Sequence, residues 1–140
     1  MTQVINNLPT YISDAHTLVW YLTEDKKLGR IALSILESVD NDLSILIIPA
    51  VVLAELYMIA EKKRTSLGLV ALGNAIQNWQ TADNIRLTNL TPELVILSSQ
   101  FSAIPEIFDR LIVTEAHKLG VPLITRDPLI VNSNLVPTLW

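Results

Sequence analysis

The stretch PEIFDRLIVTEAHKLGVPLITRDP, residues 105–128, constrains the fold more than any other part of this chain, because it reads as a helix, a turn, a short strand and then a carboxylate. Pro105 suits a first helical position and Glu106 the positive end of the helix, while His117 and Lys118 suit its negative end. Gly120 followed by Pro122 stops the helix. Leu123 and Ile124 then make a short buried strand, and Asp127 stands just past its carboxyl end. On the helix, Asp109 lies three, four and seven residues before Ile112, Val113 and Ala116, so it shares a face with apolar side chains. In an open parallel sheet, ligands bind outside the carboxyl ends of the strands, so this unit can aim two acids into one crevice.

The rest of the chain supplies what such a unit must pack against. Thr10 to Ser13 is a short β-type run, and a helical pattern covers His16 to Leu22. A second amphipathic helix runs from Leu28 to Val39, with the solvated basic trio Lys26, Lys27 and Arg30 at its start. After the turn Asp40-Asn41-Asp42, Ser44 to Ile48 is apolar on both faces, as a central parallel strand should be. Pro49 starts the helix VVLAELYMIAEKKR, and Leu67 to Trp79 forms another. Asn84 to Leu90 is a strand with Ile85, Leu87 and Leu90 facing inward, and Thr91, Pro92 and Glu93 open a further helix. Ser98 to Ile104 reads as loop and Leu135 to Leu139 as a last strand. Strands alternating with helices predict a three-layer α/β domain, 1–140, with a mostly parallel central sheet flanked by helices.

Composition narrows the functional classes. The 140 residues suit one domain, and 50% of them are hydrophobic, enough for a single core. With no cysteine, thiolate metal sites, cysteine nucleophiles and disulfides are excluded, which fits a reducing cytoplasm. A net charge of -4 argues against a large phosphate-tracking surface but not against a metal-bridged one. The longest apolar run, Leu43 to Ala54, is broken by Pro49 and falls short of the roughly 20 residues a membrane span needs. The opening MTQVINNLPT lacks a basic-then-apolar signal pattern.

Two further acids stand out. Asp14 comes directly after the first strand, where it serves either as a helix N-cap or as a site carboxylate. Glu55 is the only charge in the first three turns of its helix and shares a face with Val52, Met58 and Ile59. A buried carboxylate costs several kcal/mol, roughly, unless it is protonated, hydrogen-bonded or bound to a cation, so Glu55 is either a metal ligand or a hydrogen-bonded structural residue. His16 and His117 fit packing or capping, and Lys62, Lys63 and Arg64 complement a helix dipole. Asp14, Glu55, Asp109 and Asp127 therefore share one reading. Crowded carboxylates repel, and a hard divalent cation such as Mg2+ or Mn2+, which prefers oxygen ligands, relieves the repulsion. A site of that kind suits phosphodiester hydrolysis.

The segments YISDAHTLVWYL, AELYMIAEKK and FDRLIVTEAHKLGVPLITRD, with a closing LW, resemble a PIN domain of the VapC toxin type over about Tyr11 to Trp140. The resemblance implies a Mg2+-dependent or Mn2+-dependent endoribonuclease, a homodimer, and a cognate antitoxin protein that blocks the site. It sets the family's acidic quartet on Asp14, Glu55, Asp109 and Asp127, with Asp14 and Asp109 most directly on the metal and the other two orienting waters. Members often carry Asp-Thr-His at the first acid and Asp-Pro before Phe-Asp-Arg, where this chain has Asp14-Ala15-His16 and Glu106-Ile107. Arg110 is expected either to pair with Glu106 or to touch phosphate, and Thr125 and Ser13 to bond carboxylates or substrate.

Rival classes fit less well. A receiver-type phosphoacceptor needs a lysine by its last strands, and every lysine here lies in a helix or just before one. A haloacid-dehalogenase-like phosphatase needs Asp-x-Asp after its first strand, where Asp14 is followed by Ala15 and His16. A catalytically silent PIN-like protein acting through a protein partner would lose acids, and the quartet is intact.

Overall fold

The computed structural model describes residues 7–140; the opening residues 1–6, part of the stretch read as lacking a signal pattern, lie outside it. Five strands, β1 (Thr10–Ser13), β2 (Ile45–Pro49), β3 (Ile85–Thr88), β4 (Leu123–Ile124) and β5 (Thr138–Leu139), form one sheet in the order β3-β2-β1-β4-β5. Every neighbouring pair is parallel. Among the described residues, seven α-helices connect them: α1 (Ala15–Leu22), α2 (Arg30–Asp40), α3 (Ala50–Lys62), α4 (Leu69–Thr81), α5 (Pro92–Leu97), α6 (Ile107–Leu119) and α7 (Pro128–Ser133). All five residues of β2 are buried, so helices cover both faces of the sheet and the expected three-layer α/β fold is the observed one.

The strand order decides where a ligand can sit. From β1 the chain builds outward through β2 and β3, then crosses back to lay β4 on the other side of β1. The connections therefore part between β1 and β4, leaving a crevice beyond their carboxyl ends, the usual ligand position in such sheets. Ser13 pairs with Ile124 at that end, so the residues just past each strand, Asp14 on one side and Thr125 to Asp127 on the other, face the same opening.

Several local expectations change. Helix α6 begins at Ile107, not at Pro105, because the Glu106 side chain caps it by accepting from the Asp109 N–H at 2.8 Å. Residues read as loop after α5 continue as a 3-10 helix, Ser98–Phe101. There Ser98 and Ser99 donate back to the carbonyls of Val95 and Ile96, which tightens the helix end. Strand β3 stops at Thr88 and leaves Leu90 44% exposed, not inward, because its partner β2 ends at Pro49, opposite Thr88, where α3 begins. The last strand shrinks to Thr138–Leu139, the two residues that pair with the two of β4, and Pro128–Ser133 forms a helix too short to be revealed by periodicity. Among the described residues, no helix is long and apolar enough to cross a membrane.

Candidate active site

Asp14 is the fixed point of the crevice. It ends β1, caps α1 and is almost wholly buried. Its Oδ1 accepts from the Thr17 N–H at 3.0 Å and lies 2.6 Å from the Thr17 hydroxyl, while its Oδ2 accepts from the Thr125 hydroxyl at 2.5 Å. The sequence left capping and site roles open for Asp14, and the geometry supplies the cap while leaving the carboxylate on the cleft wall. Burial pushes its carboxyl up from the usual range, opposed by the bonds from Thr125 and Thr17 and by the nearby His16. Thr125 is itself anchored, its N–H donating to Leu139 O at 3.2 Å and its hydroxyl accepting from the Asp127 N–H at 3.1 Å. Ser13, the other hydroxyl considered, donates to the Asp14 carbonyl at 2.9 Å and so serves the backbone.

Removing the Thr125 donor tests how firmly Asp14 is held. Thr125→Val keeps the side chain's volume but leaves a buried carboxylate oxygen short of a partner, at an expected loss of about 2 kcal/mol in stability at neutral pH. The Asp14 carboxyl then rises further, so the loss should shrink as pH falls and the group is protonated. Urea unfolding at pH 7 and pH 4 checks this; equal midpoints for variant and wild type at pH 7 would show that the bond holds nothing.

Around Asp14, a cleft of about 960 Å³ is lined by Glu55 from α3, Asp109 from α6 and Asp127 at the start of α7. All four sequence-predicted acids thus border one cavity. Glu55 is half-buried rather than fully buried, because its face of α3, with Met58 and Ile59, turns to the cleft instead of the core. Its carboxyl is pushed up to about 7, first by burial and then by the charges of Glu106, Asp14 and Asp127. Asp109 is also pushed up to about 7, by burial, by Glu106, Asp127 and Glu55, and by a side-chain hydrogen bond with Asp127. Asp127 accepts from the Leu129 N–H at 2.9 Å, which caps α7 and aims the carboxylate.

Glu106 is the acid that sequence reasoning missed as a cleft residue. It heads the charges acting on both Glu55 and Asp109, and its spacing of three residues before Asp109, the distance from an N-cap to the N–H it accepts, was the available signal. Arg110 does not pair with it; the guanidinium Nε donates to the Ile104 carbonyl at 2.7 Å and ties the preceding loop to α6. Of the basic residues closing α3, Lys62 and Arg64 line the cleft, and Lys63 takes the left-handed conformation that ends the helix. His16 lines the cleft beside Trp20, while His117 packs on Phe101.

The donor set is all oxygen, which suits a hard divalent cation better than zinc. Among the described residues, no three His, Asp or Glu side chains already stand as a ready coordination shell. Instead, Glu55 and Asp109, both raised to about 7 by burial and by the neighbouring acids, are partly protonated near neutral pH, which relieves part of the crowding. A divalent cation offsets the same repulsion, so the residues fit the group chemically.

The fold and the cleft can be set beside known proteins. Solved structures that share the fold include two VapC-type proteins. One is VapBC2 from Rickettsia felis bound to a DNA fragment from their promoter, with TM-score 0.68, 14% identity, and coverage of 94% of this chain and 98% of that one. The other is VapC20 of Mycobacterium tuberculosis, described as a sarcin-ricin loop cleaving toxin, with TM-score 0.65, 12% identity, and coverage of 87% and 94%. No curated protein sequence matches the chain. The family model for the PIN domain, however, matches residues 11–131, a span that runs from β1 through all five cleft acids into α7, and the chain belongs to the PIN domain family.

Proposed function

We propose that this protein is a metal-dependent endoribonuclease, a single domain over 1–140 that acts in the cytoplasm as the toxin of a toxin-antitoxin pair. The observation that carries this reading is the convergence of Asp14, Glu55, Asp109 and Asp127, from separate elements, on one cleft at the switch point of a parallel sheet. The likeness to VapC structures supports the toxin reading and a cognate antitoxin protein as partner; a homodimer is part of the same reading as what the family resemblance implies. A silent family member acting only through a partner has no need of four acids in one cavity.

Asp14 and Asp109 would hold Mg2+ or Mn2+ most directly, with Glu55 and Asp127 completing the set. The cation supplies activation of water and stabilisation of charge on the phosphate and the leaving oxygen. Thr17 and Thr125 orient Asp14 so that it does not turn away from the cleft. Without the cation Glu55 and Asp109 are raised to about 7, so its binding would displace the protons they carry near neutral pH. Lys62, Arg64 and Arg126 on the cleft wall offset the charge of an RNA backbone brought up to four carboxylates.

Incubating the purified protein, freed of antitoxin, with a panel of structured RNAs tests the reading. Cleavage should require Mg2+ or Mn2+, stop with a chelator, and leave a 5′-phosphate and a 3′-hydroxyl, because water attacks phosphorus. A 2′,3′-cyclic phosphate would overturn it, since that product uses the RNA's own 2′-hydroxyl with acid-base groups such as histidine.

A further inference from the structure

Beside the acids, the cleft has an aromatic wall. The Arg126 guanidinium carbon sits 4.4 Å from the ring centroid of Trp20 and 6.0 Å from that of Trp140. The two indoles meet edge to face at 5.7 Å, and His16 stacks obliquely on Trp20 at 5.6 Å. These residues come from α1, from the turn after β4 and from position 140, and all line the cleft that holds the acids. Arg126 and His16 are exposed and both tryptophans are half-buried, so the surface is open to a ligand.

Its placement is built into the backbone. A Cβ on Gly29 would fall 2.6 Å from both the carbonyl carbon and Cδ1 of Trp140, so the indole lies where only glycine permits it. Arg126 directly precedes Asp127, and His16 is two residues past Asp14, so this surface borders the carboxylates. Arg126 keeps its charge in solvent, and Asp127 beside it caps α7.

We infer that Trp20, Trp140 and Arg126 form a stacking platform for an unpaired nucleobase, which holds RNA beside the carboxylate cleft. The chemistry recommends that occupant. Aromatic faces and guanidinium planes are what proteins use to hold splayed RNA bases, whereas a base inside a duplex exposes no face to stack. The acids repel a polyanion, so attraction must come from the bases and from cations such as Arg126. The inference rests on the ribonuclease reading for its choice of RNA.

The test measures binding to the full chain in Ca2+, which prefers oxygen ligands, by fluorescence anisotropy. The probes are a single-stranded oligoribonucleotide, its duplex, and an abasic oligomer of the same length and charge. The single strand should bind about tenfold more tightly than either competitor, the low end of what stacking one base contributes. Trp140→Leu should remove that preference and leave abasic binding within about twofold. Gly29→Ala, which displaces the indole without deleting it, should do the same. Equal binding of the single strand and the abasic oligomer by wild type, no binding of either, or the preference persisting in both variants would overturn the platform. Mn2+-dependent cleavage, assayed on the same preparations, separates the two claims: base-dependent binding without cleavage sinks the nuclease and keeps the platform, and cleavage with base-independent binding does the reverse.

Discussion

Asp109→Asn is expected to slow RNA cleavage by about 100-fold or more while leaving the metal-free protein as stable as the wild type or more so. The magnitude comes from the role proposed for Asp109 at the cation, since losing even an outer partner of a metal centre costs about 10–100-fold. The stability effect comes from the residue's surroundings. Burial, Glu106, Asp127 and Glu55 all disfavour the Asp109 charge. An uncharged amide of nearly the same shape removes that penalty and can still donate to Asp127. Chemical unfolding in a chelator, run beside the cleavage assay, checks both halves. A large loss of stability without metal would instead make Asp109 a structural residue whose bonds hold the fold.

The second large effect concerns pH and metal together. Glu55 and Asp109 both titrate near 7 in the folded protein, above their ordinary values of 4.5 and 3.8. A raised folded-state pKa means that the folded protein binds protons more tightly than the unfolded chain does. The stabilisation is therefore fully present below about pH 4 and is lost as pH rises through about 7. Metal-free protein should accordingly melt at a lower temperature at pH 8 than at pH 5.5, so far as these two groups decide it. Mn2+ should reverse the trend, because it competes with those protons and binds best to the ionised carboxylates. At a hundredfold excess over its dissociation constant, Mn2+ should add about 2.7 kcal/mol at pH 8, or about 8 °C in Tm for a domain of this size, and much less at pH 5.5. Differential scanning calorimetry at the two pH values reads this. A Mn2+ shift independent of pH would mean that the ion binds away from Glu55 and Asp109.

The sequence made the local units legible for identifiable reasons. Helix α6 has a charge-matched end and a Gly120 stop, and β2 is apolar at every position, so each declares itself without its partners. The four acids could be picked out because each breaks a pattern, either a carboxylate on an apolar helix face or one just past a strand. The strand order was not legible, since it depends on pairings such as Ile12 with Leu123, separated by most of the chain. For that reason the crevice between β1 and β4 could be anticipated only as a general site for a parallel sheet. The union of Trp20, Arg126 and Trp140 was hidden in the same way, and each residue alone looks like an ordinary surface or core side chain. Glu106 was hidden differently: a helix dipole and a helix cap call for the same residue type within one turn, and only the bond to the Asp109 N–H separates them.

The proposal that these acids form one cation site is tested most directly by calorimetric titration of Mn2+ into the full chain at pH 8, for wild type and for Asp14→Ala. Asp14 is the appropriate choice because it is the buried anchor that Thr17 and Thr125 hold toward the cleft. Wild type should bind Mn2+ saturably at one site or an adjacent pair, and Asp14→Ala should abolish that binding while remaining folded. Absence of binding in wild type, or unchanged binding in Asp14→Ala, would contradict the account.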